Sequence, residues 1–240
     1  MAKPIYHDSK VLEISDLSPN TKHFVIEVDR KVPFSFKAGQ FIMLDLPIAS
    51  HITNRSYSIA SAPRTDNTFD LCIVLKPEGL GTPYLFNEVS VGSTLKVSDP
   101  LGKLTIPDPV DTEICYVCTG TGIAPFRSHI FDMVNRNIPH QKIYLIFGNR
   151  KIEDILYCKE FEELEKVNPN FKFIPVLSRE NPDNWKGRTG YVHPIYEELY
   201  ADKRPARFYI CGWHNMLSDA RHRIEAMGYH RKFIKFEAYD

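Results

Sequence analysis

The sequence lacks the features that would assign it to several large functional classes. No apolar run approaches the roughly 20 residues needed to cross a bilayer, and the amino-terminal segment MAKPIYHDSK has no hydrophobic signal-peptide region. Neither charge is in excess, since 30 Lys and Arg residues balance 30 Asp and Glu residues. No basic stripe with interleaved aromatic residues is present. We therefore expect a cytoplasmic protein with no membrane span and no nucleic-acid partner.

Cysteine is scarce and scattered, with five residues in 240. An odd, dispersed set favours reduced thiols over a disulfide framework. Cys115 and Cys118 form a C-x-x-C motif inside a β-rich run, so we interpret them as buried strand residues rather than as a metal or redox site. No second cysteine cluster exists, and the histidines show no metal-ligand spacing. The sequence therefore predicts no metal site, and His129, His193 and His214 are interpreted as polar or packing residues.

Two halves of the chain follow different patterns. Residues 1–108 contain six short apolar strands separated by turn residues, with one possible helix near PYLFNEV, which predicts an antiparallel β-barrel or sandwich. Residues 109–240 alternate four apolar strands with helical stretches, which is typical of a doubly wound α/β domain with a parallel sheet. The proline-containing segment LTIPDPVDT lies at the predicted boundary.

The segment RSYSIASAP, residues 55–63, has an unusual alternation for a barrel strand. Its two predicted faces carry Arg55, Tyr57 and Ile59 on one side and Ser56, Ser58 and Ala60 on the other, so neither is conventionally apolar. A flavin site needs a flat aromatic wall, a donor near N5 and a counter-charge for phosphate, and Tyr57, Ser58 and Arg55 supply one of each. Taken alone, however, the segment is better explained as a structural strand with a core Tyr, a surface Arg and an exposed Ser.

A glycine loop opens the second half. TGTGIAPFRS, residues 119–128, follows the first predicted strand and precedes a helix, where Pro125 suits the first turn. Gly120 and Gly122 can adopt positive φ and let backbone amides approach a ligand, so we expect a pyrophosphate at this helix N-terminus. The third glycine of the dinucleotide-binding fingerprint is replaced by Pro125, and an ordinary glycine turn is the alternative.

Cationic residues follow the later strands. Arg150 ends IFGNR, Ser178 and Arg179 follow the next strand, and WKGRTG carries Lys186 and Arg188. Singly, each is a solvated loop charge, but together they form a cluster suited to the 2′-phosphate of NADP rather than to NAD.

These motifs together resemble the ferredoxin:NADP reductase superfamily. The matching segments are RSYS at 55–58, TGTGIAP at 119–125, SR at 178–179, CGWHNM at 211–216 and the terminal FEAYD, and FKAGQF at 36–41 is similar as well. They occur in the family's order and extend from about residue 36 to the last residue. The resemblance implies an antiparallel FAD-binding β-barrel (1–108) followed by an NADP(H)-binding α/β domain (109–240).

The resemblance also implies roles for individual residues of the flavin strand. Arg55 would bind the FAD pyrophosphate, Tyr57 would pack against the isoalloxazine or ribityl portion, and Ser58 would hydrogen-bond near N5. Ser56 lies in the same binding strand. Gly81 and Thr82, in KPEGLGTPYL, correspond to the second phosphate-binding turn.

In the second half, the family's nucleotide-binding loop corresponds to Thr119, Gly120, Thr121 and Gly122. Cys211 and Gly212 would lie beside the nicotinamide, Glu237 resembles a proton-relaying carboxylate, and Tyr239 resembles the aromatic residue that covers the flavin ring. The catalytic set implied is therefore Ser58, Cys211, Glu237 and Tyr239.

The implied activity is an NADPH-dependent FAD oxidoreductase that exchanges single electrons with an external ferredoxin or flavodoxin. A basic C-terminal region offers a docking surface for an acidic carrier, or is simply a solvated surface; its residues are Arg221, His222, Arg223, His230, Arg231, Lys232 and Lys235. The alternatives are a free-flavin or ferric reductase, the reductase component of an oxygenase, and a non-catalytic electron-transfer subunit.

Overall fold

The computed structural model of the chain describes residues 4–181 and 183–239. These residues form two compact units. The first contains residues 4–106 and Ala124–Asn137, and the second contains Pro107–Ile123 and the residues from Ile138 onward. The first segment thus ends two residues before the predicted boundary, while one helix from the predicted second domain groups with the first unit.

The first unit is built on a six-stranded antiparallel sheet with the order β4-β3-β6-β1-β2-β5. The bounds are β1 Tyr6–Ser18, β2 Thr21–Val28, β3 Phe41–Asp45, β4 Asn54–Ser58, β5 Thr68–Val74, β6 Thr94–Ser98, α1 Gly81–Asn87 and α2 Ala124–Asn135. A bridge between Ile59 and Leu71 joins the two edges of the sheet, immediately after β4 and within β5. The sheet therefore closes on itself as a barrel.

Alternating apolar residues fill the interior of this barrel. Phe24, Ile26 and Val28 are spaced two apart in β2, and all three belong to the buried core. The same core includes Phe69, Leu71 and Ile73 of β5. The period-2 pattern of the sequence is thus the pattern of burial, and the prediction of an antiparallel barrel is confirmed.

The second unit is a six-stranded parallel sheet with the order β10-β9-β8-β7-β11-β12. The bounds are β7 Glu113–Thr119, β8 Ile143–Asn149, β9 Phe171–Leu177, β10 Arg188–Thr189, β11 Ala206–Trp213, β12 Ile234–Tyr239, α3 Cys158–Val167, α4 His193–Leu199 and α5 His214–Ala226, with short 3-10 turns at Gly120–Ile123, Ile152–Asp154 and Arg231–Phe233. The doubly wound fold is confirmed.

Strand order in the second unit creates a switch point. The chain builds outward from β7 through β8 and β9 on one side, and then returns to place β11 on the other side of β7. In open parallel sheets, ligands bind at such a point, outside the carboxyl ends of the strands. The carboxyl ends of β7 and β11 are therefore the expected ligand-binding site of this unit.

Across the described ranges, no helix has the length and apolar character that a membrane span requires. Cys115 and Cys118 both lie in β7 and are fully buried free thiols, which confirms that the C-x-x-C motif is part of a buried strand. Within the same ranges, no three His, Cys, Asp or Glu side chains are grouped as a metal site would need.

Candidate active site

Strand β4 presents the predicted flavin-binding residues on the barrel. It pairs with β3, so that Ser58 lies opposite Phe41 and Tyr57 opposite Ile42. Tyr57 is partly buried and packs against the barrel core, and Ile59 is a core residue. Tyr57 and Ile59 therefore contribute to the apolar core, while Ala60, on the other face of the segment, is fully buried as well. Ser58 is buried, with 4% of its surface exposed.

Burial also affects the titration of Tyr57. It raises the pKa of the phenol to about 12, and the charge of Arg55 opposes this shift. The ring is thus a neutral, partly enclosed aromatic surface at any physiological pH, which is the kind of wall that a flavin needs.

Arg55 and Gly81 lie together at the start of α1. The Arg55 Nη1 atom donates to the carbonyl oxygens of Ile52 at 2.8 Å and Asn54 at 2.9 Å, which fixes the guanidinium group. A Cβ atom added to Gly81 would lie 3.0 Å from Arg55 Cγ, so a residue without a side chain lets helix and cation approach. An anchored cation beside a bare helix start fits a diphosphate.

Thr82 has a different place from the one expected of a phosphate-binding hydroxyl. Its Oγ1 accepts a hydrogen bond from the Lys76 amide at 2.8 Å and lies 3.3 Å from the Lys76 carbonyl oxygen. The side chain therefore closes the loop before α1. Contact between Thr82 and a phosphate stays a prediction.

At the switch point, β7 and β11 approach each other through glycines. A Cβ on Gly122 would lie 2.5 Å from the carbonyl oxygen of Cys211, and a Cβ on Gly212 would overlap Thr119 Oγ1. Gly120 has φ of 53°, as expected, but Gly122 does not have positive φ. The reason for glycine at 122 is thus the close passage of the Cys211 backbone rather than a left-handed conformation.

One polar atom at this edge has no partner. Thr119 Oγ1 is buried and makes no hydrogen bond to any described residue. Buried hydroxyls are almost always satisfied, so an orphaned one beside two glycines at a switch point fits a ligand that supplies the missing donor or acceptor. The residues present therefore suit a nicotinamide nucleotide, with Thr121 in the adjoining turn.

The structure brings Cys211, Glu237 and Tyr239 to the same end of the second sheet. Cys211 is in register with Glu237, and Trp213 with Tyr239, across the parallel pair β11 and β12. Burial, followed by the charge of Glu237 and the neighbouring Cys118 thiol, raises the pKa of Cys211 well above its usual value, while a hydrogen bond with Tyr239 opposes this. Cys211 is therefore a neutral, small packing residue.

The predicted phosphate cluster forms only in part. The amides of Ser178 and Arg179 donate to the carbonyls of Asn149 and Arg150 at 3.0 and 2.9 Å, so the ends of β8 and β9 stay side by side. Arg188 instead pairs with Glu198, with Nη2 to Oε1 at 2.9 Å, which explains the raised pKa of its guanidinium. Arg150, Ser178 and Arg179 therefore lie at the neighbouring ends of β8 and β9, while Arg188 forms an exposed ion pair with Glu198, and contact of any of them with a phosphate stays a prediction.

The structure contains a second set of polar residues that the sequence patterns do not predict. Asp70, Arg64 and Arg127 form an ion-pair network beside the flavin strand. The signal that could have indicated them is the carboxylate of Asp70 inside the apolar run FDLCIV, since a charge in a strand interior requires partners.

Comparison with known proteins agrees with this geometry. The family model described as "Oxidoreductase FAD-binding domain" matches residues 8–106. The model described as "Oxidoreductase NAD-binding domain" matches residues 116–222.

Individual relatives differ in what surrounds the shared region. Ferredoxin–NADP reductase B of Sorangium cellulosum is 33% identical over 97% of each chain. Phenol hydroxylase P5 protein of Acinetobacter pittii is 31% identical, but this chain spans 60% of it. A component of the Na(+)-translocating NADH-quinone reductase of Marinomonas is 28% identical, with 65% of its length spanned.

Solved structures give the same fold. A ferredoxin NADP+ reductase from Neisseria gonorrhoeae with bound FAD and NADP superposes with a TM-score of 0.80 and 26% identity, covering 98% of this chain and 99% of that one. The Amycolatopsis cytochrome P450 reductase GcoB superposes with a TM-score of 0.87 at 24% identity, covering 99% of this chain and 71% of that one.

The close approach at Gly122 gives a test of the switch point. Gly122→Ala should lower the free energy of unfolding by about 2–3 kcal/mol, because its Cβ forces the backbone of Cys211 away. Gly120→Ala is the matched control in the same turn, since nothing lies within 4 Å of its added Cβ. That variant should cost only the roughly 1 kcal/mol of a left-handed alanine. Chemical denaturation measures both, and equal losses would contradict the packing assigned to Gly122.

Proposed function

The chain belongs to the ferredoxin:NADP reductase superfamily, and on that premise we propose that it is an FAD-dependent enzyme that oxidises NADPH and delivers single electrons to a ferredoxin or flavodoxin. As a member of this family it is an oxidoreductase with an FAD-binding and a pyridine-nucleotide-binding domain. The choice of NADPH and the identity of the carrier go beyond the family. Its cytoplasmic location is likewise part of the proposal.

Each of the two units has its own part in the proposed function. When bound, FAD supplies the hydride acceptor and NADPH the hydride donor. Arg55 and the start of α1 at Gly81 would hold the FAD pyrophosphate, Tyr57 would form the aromatic wall, and Ser58 would donate a hydrogen bond near N5. Ser56 and Thr82 complete this set as residues of the flavin strand and of the second turn. Residues 1–108 are the proposed FAD-binding domain.

In the second half, residues 109–240 are the proposed NADP(H)-binding domain. Thr119, Gly120, Thr121 and Gly122 would receive the nucleotide at the carboxyl end of β7, where the orphaned Thr119 hydroxyl gains a partner. Cys211 and Gly212 would bound the nicotinamide pocket from β11. Glu237 would relay protons through its carboxylate, and Tyr239 would supply an aromatic cover at the end of β12.

The observation that carries the choice of NADPH is the pair of arginines at the ends of β8 and β9. Arg150 and Arg179 are exposed, and among the residues that the structure describes neither side chain has an ion pair or a hydrogen-bond acceptor. A guanidinium group offers forked donors to a dianionic phosphate, and NADP differs from NAD by such a group. The two cations are therefore available for the 2′-phosphate, and Ser178 directly precedes Arg179 in the chain.

Arg179→Ala tests this assignment. Single-turnover reduction of the bound flavin by NADPH should lose about 10- to 100-fold in the ratio of the limiting rate to the NADPH dissociation constant, since a charge-assisted hydrogen bond contributes about 1.5–3 kcal/mol. The rate with NADH should hardly change. Arg188→Ala is the matched control, because its guanidinium is engaged by Glu198, and it should leave the preference intact. An unchanged NADPH preference in Arg179→Ala would refute the role.

The oxygenase-reductase alternative has support of its own. Two relatives are named as a phenol hydroxylase protein and as part of an NADH-quinone reductase, so the acceptor in this family varies. A reductase of that kind would use the same flavin strand and would differ in its protein partner. Comparing ferredoxin and flavodoxin with free flavin and ferric chelates as acceptors separates these functions.

The basic C-terminal region carries less free charge than its sequence indicates. Arg223 pairs with Glu197 at 3.1 Å, and Arg231 pairs with Glu225 at 3.1 Å. Arg221 lies over the ring of Phe236, with Cζ 4.1 Å from the ring centroid. The proposed docking surface is therefore weaker than a count of its cations suggests.

Charge reversal tests whether this region docks the carrier. The double variant Arg231→Glu and Lys232→Glu should raise the KM for ferredoxin about tenfold at low ionic strength, because like charges slow association with an acidic partner. Turnover with ferricyanide should be unaffected. Reversal of Lys159 and Lys166 on α3, two lysines outside the region, is the matched control. A parallel loss of both activities would remove this surface from the proposal.

A further inference from the structure

The carboxylate of Asp70 is buried in the wall of the barrel, with 1% of the residue exposed. Arg64 binds it with both terminal nitrogens, at 2.7 Å to Oδ1 and 2.9 Å to Oδ2. Arg127 Nη1 reaches Oδ2 at 3.1 Å, and His23 Nε2 lies 3.7 Å from the same oxygen. A buried charge with so many partners is fully compensated, which is the condition for keeping it in a protein interior.

Arg127 comes from α2, the helix that follows the glycine loop and that groups with the barrel. Its Nη1 also donates to the carbonyl oxygen of Ala60 at 2.9 Å. The next residue, Ser128, is fully buried and donates to the carbonyl oxygen of Ser61 at 2.6 Å. Two consecutive residues of the helix thus hold two consecutive carbonyls of the segment that leaves the flavin strand.

Asp70 holds the same segment from the other side. Its carbonyl oxygen accepts from the Ala60 amide at 2.8 Å, and its own amide donates to Ser61 Oγ at 3.0 Å. The bridge between Ile59 and Leu71, which closes the barrel, lies directly beside these bonds. The Ala60–Ser61 segment therefore has fixed partners on both sides and cannot shift without breaking several hydrogen bonds at once.

We propose that Asp70 and Arg127 are positioning residues for the flavin site: through Ala60 and Ser61 they fix the end of β4 and hence the place of the Ser58 side chain. This inference rests on the assignment of FAD to β4. Apolar residues of similar volume often stabilise an interior as well as an ion pair does. A network of this kind is therefore better suited to fixing one geometry than to raising stability.

The consequence concerns catalysis as well as binding. A displacement of about 1 Å in a group that meets a reacting atom can cost about 100-fold in rate. The side chain of Arg127 never needs to touch the flavin to have this effect. It acts by holding a backbone carbonyl two residues beyond Ser58.

Arg127→Met tests the proposal, because methionine keeps much of the side-chain stem and removes the donors. Arg127→Lys keeps the positive charge but replaces the planar guanidinium and its forked donors with a compact ammonium group. The matched control is Arg136→Met, on the same helix, where the side chain is 58% exposed and pairs with Asp132 at 3.6 Å. The measurements are the FAD dissociation constant, amide hydrogen exchange in the FAD-free protein, and thermal unfolding.

Arg127→Met should weaken FAD binding roughly tenfold and accelerate exchange at the Ile59 and Ala60 amides, while Arg127→Lys recovers part of both. The apparent affinity for NADP+ should be unchanged. Arg136→Met should match the wild type in FAD affinity and exchange.

A merely structural role predicts something else: a lower unfolding temperature for Arg127→Met, with FAD affinity and exchange at residues 59 and 60 equal to those of Arg136→Met. That result overturns the proposal. If Arg127→Met does not yield folded protein, an Arg127→Lys variant with wild-type FAD affinity and exchange overturns it equally. These measurements need neither NADPH nor a carrier, so a wild-type protein that binds FAD but accepts no electrons from NADPH would refute the proposed function alone.

Discussion

A sheet that carries a ligand on an edge strand must fix that edge, and in the first unit the bridge between Ile59 and Leu71 does so. Without it the side of β4 that faces away from β3 would present an open row of amides and carbonyls. The bridge closes the barrel at the point where the RSYS segment ends. Arg127, which the buried carboxylate of Asp70 binds, donates to the carbonyl oxygen of Ala60 just beyond it. The positions of Arg55, Tyr57 and Ser58 all depend on this closure.

In the second unit, glycines allow two stretches of backbone to approach each other closely at the switch point. A parallel sheet leaves a crevice where the strand order reverses, and the backbones of the loop after β7 and of β11 must approach there. Gly122 passes the Cys211 carbonyl where no Cβ fits, and Gly212 does the same beside Thr119. This edge of the sheet therefore combines closely packed backbone groups with the Thr119 hydroxyl, which is buried without a partner among the described residues. Such a surface suits a polar, planar ligand and gives no support to chemistry by Cys211 itself, whose burial keeps the thiol protonated.

Much of this architecture could be predicted from the sequence, because it depends on local patterns. Alternating residues in HFVIEVD and continuous apolar runs such as EICYVCTG indicate strands of different burial, and both appear as predicted. The features that the sequence did not predict depend on contacts between residues that are distant in the chain. The pairing of Arg188 with Glu198, the two-residue strand β10 and the grouping of α2 with the barrel have no local signature. The loop pattern predicts positive φ at Gly122, whereas the structure requires glycine there for close packing.

The central claim is that this chain binds FAD on β4 and reduces it with NADPH. The most direct measurement is an anaerobic titration of the FAD-loaded protein with NADPH, followed by the visible absorption of the flavin. We expect complete bleaching of the flavin at one equivalent of NADPH per flavin. The oxidised spectrum should return when a one-electron acceptor is added. A protein that holds FAD tightly yet shows no bleaching with excess NADPH or NADH would contradict it.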